Sequence, residues 1–509
     1  MAPTLSHLAD LAGARQIQAG DVVPDLTVTS VSIDSTSMEE AGALFAAVPG
    51  TRTHGAGFAA EAPAIAILTD EAGSEILREA GETRPVLVVE DVRTVLGPVA
   101  AEIHGHPSRE LTVIGVTGTS GKTTTSYLLE AGLIAAGHTV GLIGTTGTRI
   151  NGRTVPTTLT TPEATTLQML FSRMLAEGVT HVVMEVSSHA LELGRINGTV
   201  FDAAGFTNLS QDHLDFHPTM EDYFAAKALF FRPDSPVAAQ HRVVCVDDDW
   251  GRHMAELAGE AVTVSTGGAQ DATVRARQIS RDAAGAQQLH IELPAHEVRA
   301  VLPLPGDFNI ANAALAVGLA WAVGVDVAAF VRGFQDVAVP GRMEAIDAGQ
   351  DFLAVVDYAH KPAAVAAVLD TLRGQITGRL GVIVGAGGDR DASKRPLMGS
   401  EAAQRADLVI VTDDNPRSEV PATIRAAVME GATDTAARTG AEVREVSDRA
   451  AAIDELVAWA RPGDGIVVAG KGHEVGQLIA GVDHHFDDRE EVRRALADHG
   501  HQGNRKEQA

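Results

Sequence analysis

The sequence predicts an α/β protein of three domains. Short apolar runs alternate with helical patterns almost from end to end, and 509 residues exceed one ordinary core. AIAILTD and PVLVVED read as buried strands, with VRTVLGPVAAEIHG as the helix after them. HGHPSRE at 104–110 breaks this pattern with Gly, Pro and charge, so the first domain is assigned to 1–107. The second, 108–337, opens on TVIGVTGTSGKTTTSYLLEAG, which reads as a strand, a glycine-rich turn and a helix. TVGLIGTTG and THVVMEVSSH add strands, and LQMLFSRMLAEG is the helix between them. After VPGRMEAID the alternation restarts, giving a third domain at 338–509. LAVVDY, GVIVGAGG, LVIVTDD and GIVVAGK are its strands, in a second doubly wound sheet separated by helices such as PAAVAAVLDTLR. The ending GNRKEQA reads as frayed.

A formal net charge of −27 argues against nucleic acid or an anionic membrane as partner, since both need a basic surface. Any phosphate-rich ligand must then be held by local devices. No apolar run approaches the roughly 20 residues that span a bilayer, so no membrane insertion is expected. The opening MAPTLSHLADLAGARQ lacks the basic start and apolar core of a signal peptide. One cysteine, Cys245 in RVVCVDDD, rules out an internal disulfide and suits a reducing cytoplasm; it reads as a buried strand residue. A cytoplasmic monomer is expected.

The turn GTSGKTT, 118–124, is the strongest local signal. A strand that feeds a helix through small residues leaves backbone N–H groups unpaired, and these favour a phosphate. Gly118 and Gly121 allow close approach, Lys122, expected as an exposed loop residue, reaches the outer phosphates, and the Thr123 hydroxyl can ligate Mg²⁺. The usual P-loop pattern would put its first glycine at Val116, whereas the nearest are Gly115 and Gly118.

Ligands of parallel sheets gather at the carboxyl ends of the strands, which makes Glu185, Ser187, Ser188 and His189 in MEVSSHALELGR candidates by position. Glu185, beside a phosphate-loop strand, is placed as a metal ligand. The plainer reading of the serines is a helix N-cap. NLSQDHLDFHPTMEDYFAAK offers His213, Asp215 and His217, but no Cys or further His completes a zinc set. His213 is the better candidate for a hard cation, His217 reads as a turn residue, and the plainer reading of Lys227 is a solvated lysine on its helix. In the third domain GAGGDRDASKRP, TDDNPRSE and AGKGHE end successive strands and should converge on one pocket.

Together the motifs GTSGKTT, MEVSSHAL, FTNLSQDHLDFH, GDFNIANAALA, PGRME, DYAH, GGDRD, DNPR and GKGHE make the chain resemble the Mur ligases. These are the ATP-dependent amino-acid-adding enzymes of peptidoglycan precursor synthesis. The resemblance implies a small N-terminal α/β domain for the UDP end, a central P-loop ATPase sheet and a C-terminal Rossmann-like domain for the amino acid. MEVSSHAL with DHLDFH and DNPR resembles the member that adds the third residue, with UDP-N-acetylmuramoyl-L-alanyl-D-glutamate and diaminopimelate as substrates and ATP and Mg²⁺ as cofactors.

Carried over by motif position, the UDP-substrate contacts fall on Ile33, Ser35, Thr51, Arg52, Thr53, Thr160, Thr161, Ser187 and Arg195. ATP is implied at Gly118, Thr119, Ser120, Gly121, Lys122, Thr123, Thr124, Asn309 and Arg342, with Asp357 and catalytic His360 entering from the third domain. The amino acid is implied at Arg390, Asp414, Asn415, Pro416, Arg417, Gly470 and Glu474. Metal would meet Thr123, Glu185, His213 and Lys227, the last matching a lysine that the family carries as a carbamate. IDST at 33–36 departs from the usual DSR and removes a positive charge at Thr36, and Leu193 stands where some relatives carry Gln.

The rival readings are a lysine-adding homologue, a folylpolyglutamate-type ligase and a non-catalytic nucleotide-binding regulator. The second should lack the UDP domain and the DNPR turn. The third has no use for Glu185, His213, Lys227 and Arg417 together.

Overall fold

Strands buried on both faces need apolar residues at successive positions rather than at alternate ones. The runs singled out above have that composition, and the structure, a computed structural model, places them inside sheets. It describes residues 2–17, 26–38, 42–50, 53–282 and 285–501. Thr51, Arg52 and the tail GNRKEQA lie outside the described residues.

Among the described residues, three larger sheets and one two-stranded hairpin form, each from a contiguous stretch of chain. The first sheet has five strands, in the order Arg15–Ile17, Val86–Val88, Ala66–Thr69, Ala43–Ala46, Ser30–Ser32. All its pairings are parallel except that of Arg15–Ile17. The helix Val92–Ile103 follows, and a short 3-10 turn at Pro107–Arg109 leads into the next sheet.

The central sheet is built on six parallel strands ordered Val262–Ser265, His241–Cys245, Ala203–Phe206, Thr112–Thr117, His181–Glu185 and Val140–Gly144. An antiparallel hairpin widens one edge, and the strands from Val274 to Leu302 widen the other. Successive side chains of Thr112–Thr117 point to opposite faces. Ile114 and Val116 join the core that includes Leu128, Leu129 and Leu315, while Val113 joins Leu167, Leu170 and Phe171. Helices therefore cover both faces, as a doubly wound sheet requires. The third sheet orders Glu344–Ala345, Leu353–Asp357, Gly465–Ala469, Leu380–Val384, Leu408–Val411 and Glu442–Glu445, all parallel save the first.

This topology puts the end of Thr112–Thr117 beside the end of His181–Glu185, and the ends of Leu380–Val384, Leu408–Val411 and Gly465–Ala469 side by side. No described helix is long and apolar enough to cross a membrane.

Candidate active site

A cleft of about 670 Å³ is lined by the phosphate loop Thr119–Thr124 and by Thr160, Thr161, Glu185, Ser187, Arg195 and His213 from the central sheet. Its other wall brings Arg342, Asp357, His360, Lys361 and Arg390 from the segment that carries the third sheet. Asn309 of the helix Asp307–Ala322 closes one side.

The phosphate loop is shaped by its neighbours. Gly118 has φ +140°, and a Cβ there would sit 1.9 Å from Thr207 Oγ1; Gly121 has φ +88° and faces Asn312. Thr119 N–H donates to Asn208 O at 2.9 Å, Ser120 N–H to Asn208 Oδ1 at 3.1 Å, and Thr207 Oγ1 to Ser120 O at 2.6 Å. Lys122 departs from expectation: it is the half-buried first residue of the helix Lys122–Ala135, not an exposed loop residue. Its Nζ folds back to donate to Gly118 O at 2.9 Å and Thr119 O at 3.1 Å, because the turn presents carbonyls that need a donor.

Burial, joined by the ammonium of Lys361, lowers Lys122 to about 8 against the opposing pull of Glu185 and Asp212. The Lys122 ammonium is thus present below about pH 8 and lost above it. The kcat/KM for ATP is therefore expected to be flat below that value and to fall about tenfold per pH unit above it. In Lys122→Arg the falling limb should move beyond the measurable range. A flat profile to pH 9.5 in the parent would contradict this assignment.

The Thr123 hydroxyl donates to Glu185 Oε1 at 3.0 Å, and Thr145 binds the same carboxylate through its N–H and its hydroxyl. Gly144 leaves open the space where a Cβ would lie 2.5 Å from Glu185 Oε1. Among the described residues, no three His, Cys, Asp or Glu side chains group closely enough to hold a metal alone. Thr123 and Glu185 fit a cation that takes its remaining ligands from a nucleotide phosphate. His213, with φ +54°, lies 3.2 Å from Asp212, and burial lowers its imidazole to about 3, so it is neutral as a ligand must be.

Lys227 is buried, against the solvated reading. Its Nζ donates to Gly118 O at 3.1 Å and sits 4.5 Å from the centroid of the Tyr223 ring. Burial, then the ammonium groups of Lys122 and Lys361, push its pKa well below the usual lysine range. His217, read as a turn residue, does lie in a bend, with its N–H on His213 O at 2.8 Å, but the side chain is buried.

Thr161 is fully buried and donates to Glu185 O at 2.8 Å; Ser187 caps the helix Ser188–Glu192 while its residue still lines the cleft. Arg195 pairs with Glu163 at 2.9 Å. Ile33, Ser35 and Thr53 belong to the first segment and do not line this cleft. Asp357 turns both carboxylate oxygens on backbone, accepting from Met343 N–H and Ala359 N–H at 2.7 Å each, which orders the turn that carries Arg342. Arg342 in turn donates to Thr123 Oγ1 at 3.3 Å. His360 Nδ1 meets Tyr358 O at 2.8 Å; a carbonyl only accepts, so Nδ1 carries the hydrogen and Nε2 is left as an acceptor. Burial keeps this ring neutral.

Asp414, Asn415, Pro416, Arg417, Gly470 and Glu474 form a second cluster in the third sheet, beyond the cleft wall. Gly470, φ +123°, leaves no room for a Cβ, which would meet Asp414 Oδ2 at 2.4 Å. Asn415 Nδ2 donates to Glu474 Oε2 at 2.8 Å, and burial beside Asp414 raises the Glu474 pKa. Arg417 does not pair with Glu419, which is taken by Arg395 at 2.7 Å; its Nη1 donates to Gly388 O at 2.6 Å. The hairpin Gly476–His485 holds the turn through Arg417 N–H on Leu478 O and Ala480 N–H on Arg417 O.

Two residues were missed. Lys361, directly after DYAH, and Asp212, inside DHLDFH, carry a strong signal of charge but gave no hint of their partner. The structure joins them 2.8 Å apart.

Three family models match in chain order: Mur ligase family, catalytic domain, at 27–104; Mur ligase middle domain at 116–320; and Mur ligase, glutamate ligase domain, at 341–472. A curated protein of Corynebacterium glutamicum, named UDP-N-acetylmuramoyl-L-alanyl-D-glutamate–2,6-diaminopimelate ligase, is 66% identical over 97% of both chains. One of the same name from Streptomyces avermitilis is 48% identical over 96% of both. A solved structure of a ligase so named aligns with TM-score 0.66 at 32% identity, covering 99% of this chain and 100% of its own. The phosphate-loop cleft sits among the segments that these matches span, and the chain belongs to the Mur ligase family as an ATP-dependent, amide-forming ligase.

Proposed function

We propose that this ligase is a UDP-N-acetylmuramoyl-L-alanyl-D-glutamate–diaminopimelate ligase, acting as a cytoplasmic monomer in peptidoglycan precursor synthesis. Residues 1–107 receive the UDP end, 108–337 bind ATP, and 338–509 bind diaminopimelate. The observation that carries this reading is one cleft walled by two sheets. Lys122, Glu185 and Arg195 line one wall, and His360 and Arg390 the other. The relatives' names support the choice of substrates.

A glutamyl carboxylate oxygen attacks the γ-phosphorus of ATP, the bond to the bridging oxygen breaks, and ADP leaves with the electron pair. Two anions meet in this step, so Lys122 and Arg342 offset their repulsion. Thr123 and Glu185 would hold a Mg²⁺ ion, with His213 and carbamylated Lys227 holding a second; the metal supplies charge neutralisation at the phosphates. The amine nitrogen of diaminopimelate then attacks the acyl carbon of the acyl phosphate. The tetrahedral adduct loses a proton, for which His360 Nε2 is the open acceptor, and the C–O bond to phosphate breaks.

Arg417 decides the amino acid. Diaminopimelate and lysine differ at the far carbon, where diaminopimelate adds a carboxylate, and the guanidinium, which donates to Gly388 O from a turn whose backbone the hairpin holds, can bind it with charge-assisted bonds. Lysine would leave the Arg417 guanidinium without an anionic partner and bring an ammonium towards it. Turnover is to be compared across meso-diaminopimelate, its L,L isomer and lysine, in the parent and in Arg417→Ala. The parent should prefer a diaminopimelate, and the substitution should lower its preference over lysine by about 30-fold or more. Equal use of lysine by the parent would favour a lysine-adding enzyme, and an unchanged ratio in the variant would overturn the diaminopimelate assignment that rests on Arg417. Failure to use the UDP-muramoyl dipeptide at all would favour the folylpolyglutamate-type reading.

A further inference from the structure

Lys361 stands at the N-terminus of the helix Pro362–Arg373, directly after the strand Leu353–Asp357 and His360. Its ammonium is buried and does two things at once. It pairs with Asp212 Oδ2 at 2.8 Å, and it donates to Thr119 O, in the middle of the phosphate loop, at 3.0 Å. Both partners lie on loops of the segment that carries the central sheet, so this lysine crosses the cleft. Lys394, the first residue of the helix Lys394–Arg405, approaches the other oxygen of Asp212 at 3.8 Å. Gln211 reaches Ser393 at 3.1 Å from the same loop. Asp212 thus gathers two cations from the third-sheet segment.

Thr119 O is also one of the two acceptors of Lys122. A carbonyl oxygen has two lone pairs, and here two lysines fill them. When Lys122 turns outward to a phosphate it gives up this bond, and a buried carbonyl left unpaired is destabilising. With Lys361 in place the carbonyl stays satisfied and the loop keeps its shape.

We propose that Lys361 is a positioning residue, pinned by Asp212, which holds the phosphate loop by the Thr119 carbonyl so that Lys122 is released to the nucleotide only when the two sheets face each other across the cleft. The loop is then in working order only in the closed arrangement, which ties phosphoryl transfer to the arrival of the segment that carries the amino acid. This rests on the phosphate-loop reading of the site, and the experiment separates the two.

Lys361→Met, Lys361→Arg, Asp212→Asn and the Lys361→Met/Asp212→Asn double variant are assayed in the full chain for ADP formation with both co-substrates. Lys361→Met is expected to lower kcat about 30-fold or more while the KM for the UDP-muramoyl dipeptide stays within about threefold, because that substrate's contacts lie on other residues. Lys361→Arg, which keeps the charge, should recover at least a third of the lost activity on a logarithmic scale. The double variant should be no worse than about threefold below the poorer single one, since both changes break one linkage. A Lys361→Met enzyme with kcat within threefold of the parent overturns the proposal. So do losses that multiply in the double variant. If Lys361→Met does not fold, Asp212→Asn decides: parental kcat overturns the proposal, and a tenfold or greater drop with unchanged dipeptide KM supports it. A parent enzyme that forms no ADP would instead overturn the nucleotide reading itself.

Discussion

Lys122→Ala is expected to lower kcat for ligation about a thousandfold or more, which corresponds to roughly 4 kcal/mol of transition-state stabilisation. The melting temperature should move by only a few degrees. Lys122 is the first residue of its helix, and among the described residues its ammonium donates to Gly118 O and Thr119 O. Removing it leaves Thr119 O still bonded to Lys361 and Gly118 O still bonded to Lys227, so the loop loses little of its own stability. What disappears is the cation expected to meet the phosphates in a chain of net charge −27, where the overall field repels ATP. Steady-state ADP release and a thermal melt on the same preparation test both halves. Activity within tenfold of the parent would remove Lys122 from the phosphate site.

Lys227→Ala should be nearly as damaging, about a thousandfold in kcat, and partly rescued by a short carboxylic acid such as acetate. An ammonium beside phosphate-bound metal would be repelled. The buried amine is driven towards its neutral form by desolvation and by the ammonium groups of Lys122 and Lys361. A neutral amine attacks CO₂: the N–C bond forms, a proton leaves to solvent, and the product is an anionic carbamate able to ligate metal. Acetate in the space left by the side chain would supply that carboxylate. A crystal structure with nucleotide and Mg²⁺ bound should show the carbamate. An unmodified lysine there, or a variant that acetate leaves inactive, would refute the assignment.

The Lys122 prediction was legible from a single segment, whereas the Lys227 carbamate followed only from the resemblance of the motifs together. GTSGKTT announced a phosphate loop because its signal is local: a buried run, glycines with room for positive φ, and one lysine beside a hydroxyl. The strand-end rule placed Glu185 beside Thr123 in the same way, since parallel neighbours must end together. The state of Lys122 was misread, because local pattern distinguishes a loop from a helix but says nothing of the carbonyls a side chain will find.

The sequence by itself determined the layered α/β architecture, the strand, glycine-rich turn and helix around GTSGKTT, the strand-end candidates and, through the order of its motifs, the family. These depend on residues close together in the chain, whose spacing sets periodicity and turn geometry directly. Tertiary structure alone decided the charge partners. Lys361 finds Asp212 across 149 residues and Thr119 across 242, Arg395 takes Glu419 from Arg417, and Lys227 is buried on the phosphate loop 109 residues away. An ion pair or a displaced pKa depends on distance in space and on how much water has been removed, and neither quantity exists until the sheets have packed.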